Sequence, residues 1–365
     1  MKAIAVEPGA GTPSLIDLPV PEPAPGEALV RTLRVGVDGT DDEVIAGSHG
    51  GVPDGDDRLV LGHEAVGVVE DPNGTDLEEG QYVVPTVRRP PAGVETNDYF
   101  ERGEPDMAPE GAYVERGIVG AHGFMAEYFT SPADCLVPIS VDLAPVGFLV
   151  EPISITEKAI EHAAAARSAF DWQPESVLVL GNGSLGLLTA AMFRTTMGYD
   201  RVYCLGRRDR PHPSIAILDK LDVTYIDSRE TSVPEIPEVY EPMDVVYEAT
   251  GYAKHAFESI EALAPNGVAA LLGVPGDWSF EVEGGCLHRE LVLHNKAVVG
   301  SVNSNRDHFA SAIDTMAGLP SWVIEDVVSG VYGLEEYERA FADPADDATA
   351  DDDTTIKTAV EFSHI

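Results

Sequence analysis

A short apolar run, Ser176-Val177-Leu178-Val179-Leu180, leads straight into Gly181-Asn182-Gly183-Ser184-Leu185-Gly186, and from Leu185 to Met197 the pattern becomes helical. A strand, a G-x-G-x-x-G turn and a helix in immediate succession leave the chain few folds to choose from. The first glycine permits the tight turn, the second lets the backbone approach a pyrophosphate, and the third lets the helix pack close to the strand. The N-terminus of that helix offers free N–H groups and positive potential to phosphates. A dinucleotide is the ligand such a unit takes; a glycine-rich turn without a ligand is the plain alternative.

The surroundings of the motif support a parallel sheet. Residues 153–167 suit a helix, and Arg201-Val202-Tyr203-Cys204-Leu205, Val245-Val246-Tyr247, Val268-Ala269-Ala270-Leu271-Leu272 and Ala297-Val298-Val299-Gly300 continue as strands. Strands alternating with helices imply a doubly wound parallel sheet covered on both faces. Before about residue 150 the texture differs. Ala28–Val35, Ala65–Val69 and Gln81–Pro85 are short apolar runs broken by Gly and Pro, which suits a β-rich, barrel-like domain. The chain is therefore expected to divide into residues 1–152 with 300–365, and residues 153–299. Ile356–Phe362 reads as a strand returning to the first domain, and Asp343–Asp353 as an acidic, solvated loop.

The strand after the glycine turn bears on the choice of cofactor. An NAD site usually carries Asp or Glu at its tip, for the ribose 2′-hydroxyl. Here Gly206-Arg207-Arg208 follows Leu205, and planar, permanently charged guanidinium groups suit a 2′-phosphate. NADP is expected in preference to NAD, unless the arginines pair with surface acids such as the adjacent Asp209. Leu272-Gly273-Val274 and Ser301-Val302-Asn303 follow later strands, where open α/β sheets bind their ligands. They are expected to add cofactor contacts; ordinary strand-to-loop turns are the alternative.

Charge and composition exclude several classes of function. The 63 Asp and Glu against 23 Lys and Arg give a formal charge of −40. Such a surface repels nucleic acid and anionic lipid. It also repels itself in dilute buffer, which multimolar salt relieves by shortening the Debye length to about 3 Å at 1 M. The reading is adaptation to a salt-rich cytosol; an acidic mesophilic protein is the alternative. Cys135, Cys204 and Cys286 are odd in number and far apart, so no disulfide framework follows. The N-terminus reads as a strand, and no apolar run reaches the roughly 18 residues a membrane span needs.

A second motif, Gly62-His63-Glu64-Ala65-Val66-Gly67, together with Glu151-Pro152 at the domain junction, carries chemistry of its own. With the β-rich first domain and the dinucleotide unit, it resembles the zinc-containing medium-chain alcohol dehydrogenases over nearly the whole chain. The resemblance implies a GroES-like catalytic domain beside a Rossmann domain, and one catalytic zinc. It places the metal ligands at Asp38, His63 and Glu151, with Glu64 close enough to join or to act through water. In that family the first ligand is usually a Cys within G-x-C-G-[ST]-D; here Val35-Gly36-Val37-Asp38-Gly39-Thr40-Asp41 puts Asp38 in its place. A carboxylate is a legitimate zinc ligand, harder than thiolate, so weaker binding and faster exchange are expected. Individually, Asp38 reads as a turn residue and His63 as a buried histidine. The lobe near residues 90–115, which often holds a structural zinc through four cysteines, contains none, so no structural zinc is expected.

Within the family, Val87–Pro91, Tyr113–Ile118, Gly120–Gly123 and Gly300–Asn303 resemble the glucose dehydrogenases of halophilic archaea most. That resemblance implies that Thr40, Glu115, Glu151 and Asn303 face a sugar. The implied reaction is oxidation of the C1 hydroxyl of D-glucose to gluconolactone, with hydride transfer to NADP and zinc as Lewis acid. Thr40 would relay the proton or orient the hydroxyl, and Glu64 would take the metal's open position during exchange. A homo-oligomer, dimer or tetramer, is also implied. Taken singly, Glu115 could be a surface acid and Asn303 a turn former. Two other functions fit the same motifs: another zinc-dependent alcohol, polyol or threonine dehydrogenase, and a non-catalytic NADPH-binding regulator.

Overall fold

The computed structural model describes all residues except Glu95, Ala342–Asp353 and Ile365; the acidic loop expected at Asp343–Asp353 thus lies outside the described residues. The chain forms two compact units, Met1–Ser154 with Asn303–Ala317 and Val328–Ile365, and Ile155–Val302 with Gly318–Val327.

The first unit is built on one long strand. Glu27–Val37 pairs antiparallel with Glu64–Asp71, Tyr128–Pro132 and Lys357–Glu361. One strand can serve three partners because its register against Glu64–Asp71 shifts between Thr32 and Arg34, which bends and twists it. Tyr82–Pro85, Leu136–Pro138 and Val328–Gly333 complete a seven-stranded sheet. In and around it Val30, Leu33, Val35, Val66, Val83, Val84 and Phe148 are buried. A smaller sheet of Arg88–Arg89, Val114–Arg116 and Gly120–Ala121 carries the loop that contains Asp98–Glu101 and Pro105–Met107. That loop is held by hydrogen bonds: Asn97 caps its short helix and donates to the Ala112 carbonyl, and Arg88 donates to the carbonyls of Pro105 and Asp106.

The second unit is a six-stranded, wholly parallel sheet ordered Thr224–Asp227, Arg201–Gly206, Ser176–Leu180, Met243–Glu248, Leu263–Leu271, Ala297–Gly300. Every residue of Ser176–Leu180 is buried, as a central strand covered on both faces requires. The order reverses between Ser176–Leu180 and Met243–Glu248, and at such a switch point open α/β sheets leave a crevice beyond the carboxyl ends of the strands. The helix after the glycine turn runs Ser184–Ala191 and continues as a wider turn to Thr196, where Met197 N–H reaches the Met192 carbonyl five residues back. Helix Ser321–Val327, which the division from sequence leaves with the first domain, sits instead in this unit. Val323, Ile324 and Val327 are buried on one face, and Lys220 pairs with Asp326.

Candidate metal centre and cofactor cleft

Asp38 stands where the long strand Glu27–Val37 ends and helix Gly39–Ala46 begins. Its Oδ1 accepts the N–H groups of Thr40 at 2.9 Å and Asp41 at 3.2 Å, and Asp41 Oδ2 accepts the Asp38 N–H at 3.2 Å. This reciprocal cap satisfies orphan donors of the helix and fixes the turn. It occupies one oxygen of Asp38. The other, Oδ2, takes a bond from Thr40 Oγ1 at 3.3 Å and lies 3.5 Å from His63 Nε2; the side chain keeps 27% of its surface exposed.

His63 and Glu64 come from the start of strand Glu64–Asp71, where Glu64 is paired with Gly36. A Cβ at position 36 would lie 2.1 Å from Glu64 Oε2, so only glycine leaves room for the carboxylate. Glu151 projects from the first turn of helix Val150–Ala165. Ligand atoms of His63, Glu64 and Glu151 lie within 4.8 Å of one another, as do those of Asp38, Asp41 and His63. The four expected metal residues thus fall in two groups that share His63, and two residues not singled out from sequence join them. Asp41 is one. Lys357, from the strand Lys357–Glu361, is the other; its Nζ is 2.5 Å from Glu64 Oε2 and both side chains are buried. Asp41 had a signal, its cap spacing from Asp38. Lys357 had none, because nearly the whole chain separates it from Glu64.

The electrostatics are those of too much buried negative charge. Burial pushes the Glu151 carboxyl up to about 8, with Glu64 and Asp38 repelling it and His63 opposing. Burial likewise lifts Asp41 to about 7. Glu64 is raised by burial although Lys357 pulls the other way. Burial would depress His63, but the surrounding carboxylates prevail and raise it. For Asp38, burial is overcome by His63 and Lys357, and the carboxyl is held below its usual range. His63 Nδ1 and Asp41 Oδ1 are buried without a hydrogen-bond partner. Carboxylates meeting the His63 imidazole in two overlapping groups, with Asp38 partly exposed, fit a divalent ion such as zinc, whose oxygen and nitrogen ligands sit at roughly 2.0–2.2 Å.

In the second unit, Gly181 has φ +113° directly after the strand, and a Cβ on Gly186 would meet the Gly181 carbonyl oxygen at 1.9 Å. The helix opened by Ser184 and Leu185 therefore rests on the turn itself, while a Cβ on Gly183 would meet only open space. Asn182 donates to Ser214 Oγ at 2.9 Å and packs where only glycine fits at 206. Gly181, Asn182, Gly183, Gly206, Arg207 and Arg208 line one open cleft of about 1090 Å³. Asp209, the acid that follows the two arginines in sequence, is engaged by Arg229 at 2.7 Å, and Arg229 also pairs with Asp227 at 2.5 Å.

Glu248, Thr250 and His255 form a network at the cleft that sequence reasoning did not find. Glu248 Oε1 accepts Thr250 N–H at 2.7 Å, and Thr250 Oγ1 shares a 2.9 Å bond with His255 Nδ1. Gly273 N–H donates to Glu248 Oε2 at 3.2 Å, so Leu272-Gly273-Val274 is tied to this network. Ser301 N–H donates to the Leu271 carbonyl and its Oγ is buried without a partner; the Val302 carbonyl accepts Lys158 Nζ at 2.8 Å. Asn303 belongs to the first unit. Held at φ +57°, it donates from Nδ2 to Glu115 Oε1 at 3.2 Å and accepts Ser304 N–H at Oδ1. Glu115 Oε1 also accepts from Arg88 Nε at 2.9 Å.

Comparison with known proteins places this geometry. Residues 24–141 match the alcohol dehydrogenase GroES-like domain, and residues 144–362 match the glucose dehydrogenase C-terminus. The chain is 93% identical to glucose 1-dehydrogenase 1 of Haloterrigena turkmenica over 100% of both chains. The Haloferax mediterranei glucose dehydrogenase, solved in complex with NADP, Zn and gluconolactone, is 65% identical and superposes with a TM-score of 0.96 over 100% of both chains. Galactitol-1-phosphate dehydrogenase of Escherichia coli, 19% identical, shares the fold with a TM-score of 0.81 over 99% of this chain and 100% of its own.

Because the ion-free centre retains protons on Glu151 and Asp41 and on the His63 ring, a divalent cation must displace them. Affinity for zinc should rise by up to about tenfold per pH unit for each displaced proton between about pH 6 and 8. The sign for stability is opposite. Glu151 ionises near 4.5 when unfolded and about 8 when folded, so the ion-free fold binds more protons and loses stability as pH rises through that window. Calorimetric zinc titrations and melting curves at several pH values check both; pH-independent affinity would contradict the charge balance described here.

Proposed function

The chain belongs to the glucose dehydrogenase branch of the GroES-like alcohol dehydrogenase family, and from that premise we propose that it oxidises the C1 hydroxyl of D-glucose to gluconolactone, with hydride transfer to NADP. The observation that carries the proposal is the convergence on His63 of the buried Glu64 and Glu151 on one side and the half-buried Asp38 on the other, in a cluster short of positive charge. A zinc ion held by Asp38, His63 and Glu151 supplies Lewis-acid polarisation of the hydroxyl, and NADP supplies the hydride acceptor.

The protein's own groups bind and orient. Thr40 Oγ1, bonded to Asp38 Oδ2, orients the C1 hydroxyl and offers its proton a path. Glu115 has Oε1 committed to Arg88 and Asn303, leaving Oε2 for a sugar hydroxyl. Buried polar groups of this kind reject analogues that lack the matching hydroxyl. Asn303 faces the sugar with its remaining amide donor and acceptor capacity and also holds Glu115 in place. Glu64 shares the ligand cluster, but its ion pair with Lys357 competes with any move into the metal's open position. On the cofactor side, the Gly181–Gly186 turn holds the pyrophosphate, Arg207 and Arg208 receive the 2′-phosphate, and Leu272–Val274 with Ser301 and Val302 complete the contacts.

The exposed edge strand Ala297–Gly300 and the neighbouring exposed Val292, Leu293 and Val298 support a homo-oligomer, for which a dimer or tetramer is the assembly inferred. Among the described residues no helix is long and apolar enough to cross a membrane. The charge of −40 and the haloarchaeal relatives support a high-salt cytosol as the working environment.

A steady-state substrate panel in multimolar salt tests the proposal. Aldoses should exceed primary alcohols, polyols and threonine in kcat/KM by about a hundredfold or more, and EDTA should abolish turnover that zinc restores. Turnover indifferent to EDTA, or a preference for threonine or polyols, would overturn it. In the same assay Thr40→Val should lower kcat by about a hundredfold; full turnover would remove its role. Replacing Arg207 and Arg208 by neutral residues should raise KM for NADP about tenfold or more while leaving that for NAD nearly unchanged, and equal effects on both would refute the 2′-phosphate assignment.

A further inference from the structure

The small sheet beside the sugar residues carries two arginines that nothing above employs. In the pairing of Arg88–Arg89 with Val114–Arg116, Arg88 lies opposite Glu115 and Arg89 opposite Val114, while Arg116 N–H donates to the Val87 carbonyl. Side chains alternate along a strand, so Arg88 and Glu115 share one face and Arg89 and Arg116 share the other, as diagonal neighbours. On the first face the guanidinium is neutralised, with Arg88 Nε 2.9 Å from Glu115.

On the second face it is not. Arg89 is 7% exposed and spends its Nη atoms on neutral acceptors: the carbonyls of Thr86 and Arg88, Thr86 Oγ1 and Ser131 Oγ. Arg116 donates from Nη1 to the Thr130 carbonyl at 3.3 Å and lies over the Phe124 ring. Both arginines thus reach the same strand, Tyr128–Pro132, at adjacent residues. The Nε of each is buried and without a hydrogen-bond partner, and among the described residues neither is in an ion pair. Burial, and then the charge of Arg89, pull Arg116 down to about 9. The thiol of Cys135, which feels the Arg89 charge, is raised by burial and supplies no negative charge. Arg89 is buried and Arg116 half-buried, and although the Glu27 carboxylate attracts Arg116 it does not pair with it; two like charges so placed without an ion-pair partner are costly.

We propose that Arg89 and Arg116 form a buried binding site for one small monovalent anion, a halide, held by the two Nε–H groups. Burial of both donors excludes bulky carboxylates and phosphates, and a salt-rich setting keeps such a site filled. Bound there, the anion braces the face opposite Glu115, so it is a structural site and not part of the reaction.

The test is crystallography of the unmodified protein grown from sodium bromide, read at the bromine absorption edge. An anomalous peak between the two Nε atoms is expected; water at that position, or bromide on the surface only, overturns the proposal. Melting temperatures in sodium bromide and sodium acetate at matched ionic strength give a second reading. The unmodified protein should gain about 3 °C in bromide, saturably, and Arg116→Met should not. An equal bromide gain in both proteins also overturns the proposal, and the crystallographic reading stands even if the variant does not fold.

Discussion

One constraint organises the catalytic unit: more carboxylate is buried in one place than its own cations can balance. Asp41, Glu64 and Glu151 are buried, Asp38 is partly so, and Lys357 and the His63 ring face them. A buried charge left unpaired costs several kcal/mol, so the cluster must bind protons or bind a metal. The raised Glu151 and Asp41 carboxyls belong to the first state, and the ligand geometry is suited to the second. Other features serve the same end. Gly36 yields its side-chain space to Glu64, and the C-terminal strand pairs with Glu27–Val37, which brings Lys357 to the one carboxylate that needs a permanent partner.

How much of this was legible in the sequence depended on chain distance. The turn Gly181–Gly186 declares itself because strand, glycines and helix are contiguous, and each glycine answers to a local steric fact. His63-Glu64 and Glu151-Pro152 were readable as motifs, and the Asp38 substitution was visible against the family pattern. Lys357 was not readable, since a lone lysine in an apolar strand is uninformative until the strand is laid against its neighbour. The Glu248–Thr250–His255 network was missed because its members are common residues without a spacing rule, joined only by the end of a sheet strand. Helix Ser321–Val327 was assigned to the other unit because a contiguous division cannot foresee a short excursion back to the parallel-sheet domain.

The surface and the interior handle charge by opposite rules. Outside, an excess of acids is spread widely and screened by salt, and the exposed pairs, such as Arg102–Glu104 or Arg339–Glu336, contribute little individually. Inside, Lys357 is set on Glu64, Arg88 on Glu115 and Lys158 on the Val302 carbonyl, while Arg89 and the half-buried Arg116 donate to neutral acceptors. With only 23 basic residues in the chain, burying Arg88, Arg89, Lys158 and Lys357 is a large commitment. It points to sites where cations position something, and not to bulk stabilisation.

The aspartate at position 38 shows how one residue can satisfy both rules. A thiolate there would be the softer and tighter ligand for zinc, but a poor acceptor for the helix that starts at Gly39. The carboxylate divides its oxygens. Oδ1 caps the helix through Thr40 and Asp41, while Oδ2 points at His63 and keeps some exposure to solvent. Because the cap does not depend on the ion, this ligand is already oriented when no metal is bound, and an ion can arrive or leave without unwinding the helix. Weaker affinity is the physical consequence of that division, and a ligand set that stays ordered through exchange is what it provides.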